Sequence, residues 1–164
     1  MGTPVIQHIA RYRVDGETHH GRREAGGYVR LTGPPWLGGR ESGTVDSPAG
    51  VRLLPPVVPT KIVCVGLNYR AHLAESATFV PGAKPPEEPL LFLKPASAVI
   101  ASGEAIVYPR GVTRMDPEAE LGVVIGRRAR AVTESEAMAY VAGLTCFNDV
   151  SARNYQRQDD QWTR

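Results

Sequence analysis

The stretch Asp116-Pro-Glu-Ala-Glu-Leu-Gly-Val-Val-Ile-Gly126 decides how this chain is read. Val123, Val124 and Ile125 are β-branched, and Gly126 followed by Arg127 and Arg128 ends the run, so the segment from Glu118 onward is expected to be a strand. Side chains on a strand alternate between faces, so Glu118 and Glu120 share one face while Ala119 and Leu121 take the other. Two carboxylates side by side repel unless a cation sits between them, which makes a hard divalent metal a natural partner. The bland alternative is a solvated strand face, the ordinary setting of glutamate.

Composition bounds the rest. At 164 residues the chain suits one ordinary domain, or a small domain joined to part of a larger one. An apolar content of 42% and a charged content of 22% fit a soluble globular protein rather than a disordered one. A net charge of +2, with arginines spread along the chain, points to neither a nucleic-acid nor a membrane partner. No apolar run approaches the roughly 18 residues of a membrane span, and the opening Met1-Gly-Thr-Pro4 has no signal-peptide pattern, so a cytoplasmic location is expected. Cys64 and Cys146 each lie in an apolar stretch and are expected to be reduced core residues rather than a disulfide or zinc pair.

Residues 1–54 alternate short apolar pairs with glycines and charges, the pattern of short strands joined by turns at Asp15-Gly16 and around Gly33-Pro34-Pro35. His19 and His20 are adjacent, would point apart on a strand, and are expected at the surface. Pro55-Pro56-Val-Val-Pro59 breaks helix and central strand alike and marks a seam between a small N-terminal domain, residues 1–59, and a second domain, residues 60–164. Lys61-Ile-Val-Cys-Val-Gly66 reads as a buried strand that delivers Asn68, His72 and Glu75 at its exit. On a helical turn His72 and Glu75 stand three residues apart and can form a base and its orienter; an incidental surface pair is the bland alternative. The proline-rich residues 76–89 read as a loop, a candidate lid. Thr133-Glu-Ser-Glu136 has capping-box spacing, predicting a helix of about two turns ended at Gly143. Leu144-Thr-Cys-Phe147 then reads as a buried strand that delivers Asp149, followed by Arg153 and Gln156. The chain closes on Gln161-Trp-Thr-Arg164, with no partner strand expected to receive Trp162.

Five segments in order resemble the fumarylacetoacetate hydrolase family: Cys64-Val-Gly-Leu-Asn-Tyr-Arg-Ala-His-Leu-Ala-Glu75, Leu91-Phe-Leu-Lys-Pro95, Glu118-Ala-Glu-Leu-Gly-Val-Val-Ile-Gly126, Asn148-Asp-Val-Ser-Ala-Arg153 and Gln161-Trp-Thr-Arg164. The resemblance covers residues 61–164, roughly the first half of that family's catalytic domain. It implies a mainly β fold with a few short helices, part of a mixed β-sandwich roll preceded by the small N-terminal β-rich domain. It implies that Glu118, Glu120 and Asp149 bind one Mg²⁺ or Mn²⁺, that His72 and Glu75 form the catalytic dyad, and that Gln156 and Arg153 lie near substrate. The all-oxygen donor set agrees with a hard cation. Ala71 stands where the founding branch has a further metal-contacting aspartate, which implies the three-carboxylate site of the smaller relatives. The family's catalytic lysine follows the Gln-Trp-Thr-Arg motif, beyond Arg164, so the sequence is expected to be a fragment. A homodimer is implied by the resemblance alone.

Such a site would act on a 2-oxo acid or a 1,3-dicarbonyl acid. Hydrolysis of a C–C bond in an acylpyruvate is the leading expectation; isomerisation of a hydroxymuconate-type diene acid and decarboxylation of oxaloacetate use the same residues. Two other classes stay open: a protein that binds metal and keto acid without turnover, and a scaffold that binds neither.

Overall fold

Asp15 and Gly16, both in the left-handed region with φ of 49° and 83°, turn the chain between β1 (Ile9–Val14) and β2 (Glu17–Glu24). A two-residue loop with positive φ at both positions matches the right-handed twist of the strands it joins, which is why Asp-Gly serves here. The computed structural model describes residues 7–69, 71, 87–159 and 162–163. β3 (Gly27–Leu31), β4 (Glu41–Asp46) and β5 (Arg52–Leu54) complete an antiparallel sheet of order β4-β3-β2-β1-β5. The expected N-terminal β-rich region is present.

The sheet packs around Tyr12, which has no exposed surface, with Tyr28 at a ring-centroid distance of 5.0 Å and Leu31 also buried. The Tyr12 hydroxyl donates to Asp46 Oδ2 over 2.6 Å, and Arg30 donates to the same carboxylate through Nε at 2.9 Å and Nη2 at 2.6 Å. A buried carboxylate is tolerable because these donors surround it. His19 and His20 do point apart, but neither is the surface residue expected. His19 lies 6.0 Å from the Tyr12 ring and His20 meets Trp36 edge-on at 6.0 Å, because the single 3₁₀ turn Pro35–Leu37 supplies that indole.

β6 (Ile62–Gly66) pairs with β7 (Leu90–Lys94), β8 (Met115–Asp116) with β11 (Ser151–Ala152), and β9 (Ala119–Ile125) with β10 (Val141–Asn148), all antiparallel. Contacts divide the chain into two compact units. One is Met1–Val58 with Ile100–Ile106 and Glu118–Asp149; the other is Pro59–Val99 with Val107–Pro117 and Val150–Arg164. In the first, Arg52 pairs with Glu104, and Glu104 also accepts from the Ala101 amide. In the second, the short helix Arg153–Gln158 is tied to the preceding loop by Asn154, whose Nδ2 donates to the Gly111 carbonyl. Among the described residues no helix is long and apolar enough to cross a membrane.

Further expectations need correction. Only half of the capping box forms: Glu136 reaches back to Thr133, its carboxylate accepting from the backbone amide and, over 2.6 Å, from Oγ1, while the Thr133 side chain accepts no amide in return. The helix is nevertheless a single turn, Glu134–Ala137, tightening into a 3₁₀ turn at Met138–Tyr140. Strand pairing takes over at Val141, where Gly126 N donates to Tyr140 O, so Gly143 sits in β10 beside a register shift and caps nothing. Finally, the apolar strands are not buried on both sides. Val63, Leu91 and Leu93 on one ladder, and Leu121, Val123, Ile125 and Leu144 on another, are all more than half exposed. Cys146 shares that open phase of β10 and is exposed rather than a core residue. Each is a two-stranded ladder with two faces, and among the described residues only one face of each is covered.

Candidate functional site

Pro117 lacks an N–H and so separates β8 from β9. Beyond it the acidic strand alternates as the sequence predicts: Glu118, Glu120, Gly122 and Val124 are half-buried, while Ala119, Leu121, Val123 and Ile125 are exposed. β10 sets Phe147 opposite Glu120 and Asn148 opposite Ala119. One step further, Asp149 N donates to Glu118 O at 2.9 Å, and Glu118 N donates to the Asn148 side-chain oxygen at 3.1 Å. Residues directly opposite in an antiparallel ladder share a face. Asp149, buried at 5% exposure, therefore issues on the same side as Glu118 and Glu120.

The donors suit a hard divalent cation, being carboxylate oxygens alone. Among the described residues, no three His, Cys, Asp or Glu side chains form a group able to hold a metal ion. What the ladder supplies is a common face for the three carboxylates; it does not gather them into a group that would hold the ion as they stand. His72 and Glu75, expected as the catalytic dyad, lie outside the described residues. β6, the strand that precedes them in sequence, ends at Gly66 and is followed by Leu67, whose φ of 54° is uncommon for a residue with a large side chain.

Arg153 and Gln156 belong to the other unit, and there a network joins them that the residue-by-residue reading of the sequence did not single out. The β8–β11 ladder sets Asp116 opposite Ser151 and Met115 opposite Ala152, and Arg153 N donates to Arg114 O at 2.9 Å. Arg114 grips Asp116 with Nε at 3.0 Å and Nη2 at 2.8 Å. Arg153 reaches the same carboxylate with Nε at 2.9 Å and donates from Nη1 to Gln156 Oε1, also at 2.9 Å. Hydrogen bonds from Arg114 and then Arg153 hold the Asp116 carboxyl down to about 2. Arg114 stands two residues before Asp116, just ahead of β8, a pairing of opposite charges that the sequence does contain; that Arg153 would join them is visible only once the ladder forms.

Trp162 is the remaining correction. Its ring meets Phe92 of β7 at 5.9 Å and 67°, and it lies over Gly66, where any Cβ would collide with the indole. β6 and β7 thus receive a side chain that had no foreseeable partner, because the close approach depends on the missing Cβ of Gly66.

Residues 61–164 match the family model described as fumarylacetoacetate (FAA) hydrolase C-terminal, and residues 7–56 match one described as Rv2993c-like, N-terminal. The chain belongs to the fumarylacetoacetate hydrolase family. Within this family it is 51% identical over 114 residues to an uncharacterised protein of Archaeoglobus fulgidus, covering 70% of this chain and 44% of that one. It is 44% identical over 115 residues to the mitochondrial oxaloacetate tautomerase of Bos taurus, covering 68% of this chain and 35% of that one. The crystal structure of 5-carboxymethyl-2-hydroxymuconate delta-isomerase from Mycobacterium smegmatis superposes with a TM-score of 0.83 at 32% identity, over 97% of this chain and 60% of that one. The chain spans less than half the length of these curated relatives. Family membership makes the overall architecture that of the fumarylacetoacetate hydrolase fold, mainly β with short helices, as expected.

Proposed function

We propose that this protein takes part in divalent-metal-dependent keto–enol chemistry on a 2-oxo acid, moving a proton between carbon and oxygen as a tautomerase or isomerase. One observation carries the reading: Glu118, Glu120 and Asp149 issue on one face of the β9–β10 ladder, with the Asp149 amide bonded to the Glu118 carbonyl. Those three carboxylates would hold Mg²⁺ or Mn²⁺, and when bound such an ion supplies the positive charge that stabilises an enolate oxygen. His72, oriented by Glu75, is assigned the proton transfer at the substrate carbon, as the family resemblance implies. Gln156, held by Arg153, is assigned to the substrate's oxygens.

Tautomerase and isomerase chemistry is preferred to hydrolysis because those are the activities named for the similar proteins above. Cleavage of an acylpyruvate C–C bond, the leading expectation from sequence, stays as a second reading because the family model itself is named for a hydrolase. It differs only in admitting a water to the carbonyl carbon.

The test is an activity panel on the full-length protein with Mg²⁺ and with Mn²⁺: enol oxaloacetate, a hydroxymuconate-type diene acid, fumarylpyruvate and acetylpyruvate. Accelerated loss of the enol absorbance without release of a cleaved acid is expected. Cleavage of an acylpyruvate without isomerisation of any substrate would transfer the assignment to hydrolysis, and no acceleration on any of the four would refute both.

A further inference from the structure

We propose that Asp116 is a positioning residue which, acting through Arg153, aims the amide NH₂ of Gln156 at a negatively charged oxygen of the substrate; this rests on the keto-acid reading above. The chemistry of the guanidinium settles the orientation of the amide. Arginine has five N–H donors and no acceptor, so the end of Gln156 that faces Arg153 Nη1 at 2.9 Å must be its oxygen. Nε2, with two donors, is then turned the other way. An NH₂ edge fixed in this manner suits a carboxylate or an enolate oxygen and disfavours a group that is itself a donor.

Arg153 holds that orientation best when its own guanidinium is fixed, and Asp116 fixes its Nε. Its carboxylate takes Arg153 Nε at 2.9 Å while Arg114 closes on it from the other side. Arg153 and Asp116 are about equally shielded, with side chains 22% and 24% exposed, whereas Arg114 is 65% exposed. The inner pair is therefore less screened by solvent than the outer one, and the structural consequence falls on Arg153. The helix adds the last constraint: Arg153 and Gln156 are three residues apart in Arg153–Gln158, so both side chains lie on one face. Loss of the Asp116 carboxylate removes the acceptor that fixes Arg153 Nε, and with the guanidinium re-aimed Gln156 can rotate its amide and offer an oxygen where a donor is required.

The experiment uses the full-length protein with Mg²⁺ and oxalate, a planar mimic of a 2-oxo acid enolate, as the probe. The Gln156 side-chain amide signal in a ¹⁵N-correlated NMR spectrum is assigned by its disappearance in Gln156→Ala. Asp116→Asn is expected to shift that signal, to raise the oxalate Kd measured by calorimetry about tenfold, and to add nothing further when combined with Gln156→Ala. A Gln156 signal that stays in place in Asp116→Asn, or a double variant whose loss equals the sum of the two single losses, overturns the inference. A native protein that fails to bind oxalate with Mg²⁺ counts against the keto-acid reading instead, and the Gln156 signal still decides whether Asp116 sets the amide. Circular dichroism on each variant separates these outcomes from unfolding.

Discussion

The main-chain N–H of Asp149 reaches the carbonyl of Glu118 across 2.9 Å, which carries the β9–β10 ladder one step past its last paired residues and sets a buried carboxylate opposite an acidic strand. Because this link is made by backbone, it survives side-chain substitution. Glu120→Ala should therefore leave the circular dichroism spectrum unchanged and abolish Mn²⁺ binding, since two carboxylates compete poorly with hydration of the ion. Titration calorimetry checks it: a Kd within about tenfold of the native value, roughly 1.4 kcal/mol, would remove Glu120 from the ligand set.

The N-terminal sheet depends on one phenol. Tyr12→Phe keeps the ring against Tyr28 and deletes only the 2.6 Å donation to Asp46, leaving that carboxylate to Arg30. Losing a hydrogen bond to a charged, buried group costs about 2 kcal/mol. Urea denaturation should show a lower midpoint with an unchanged slope.

The same trio gives the sheet a pH signature at both ends. Arg30 first, then Tyr12, hydrogen-bond the Asp46 carboxyl and hold it below its ordinary value. A folded-state value below the unfolded one contributes stability that is complete above about pH 4 and is lost as pH falls through the folded value. Burial first, then Asp46, push the Tyr12 phenol up to about 12 from the ordinary value of 10.0. Here the folded state retains a proton that the unfolded chain gives up, so stability falls as pH rises from 10 toward 12. Melting temperatures across pH should show both limbs in the native protein, with the alkaline limb reduced in Tyr12→Phe.

Gly66 and Trp162 are matched by the absence of one carbon. Gly66→Ala should push the indole off Phe92 at a cost of about 1–3 kcal/mol, the usual penalty for overpacking. Tryptophan emission is the measurement: a red shift is expected, and an unchanged spectrum in a folded variant would mean the ring does not rest there.

What the sequence determined by itself was local. Asp15-Gly16 needed no tertiary context to turn a hairpin, because positive φ at both positions is a property of the residues. The alternation of Glu118 and Glu120 followed from strand geometry, and the order of its motifs announced the family. Three things required the tertiary structure. Asp116, Arg153 and Gln156 become one network only because the β8–β11 register sets strands 35 positions apart side by side, and no local pattern encodes register. Thr133 and Glu136 carried the spacing that opens a helix at Glu134, yet strand pairing at Val141 held that helix to one turn because a ladder to β9 satisfies more backbone than a second helical turn would. Whether an apolar run such as Val63-Cys64-Val65 is covered on one face or two depends on which layers lie against it, and periodicity reports what a face can bury, never what arrives to bury it.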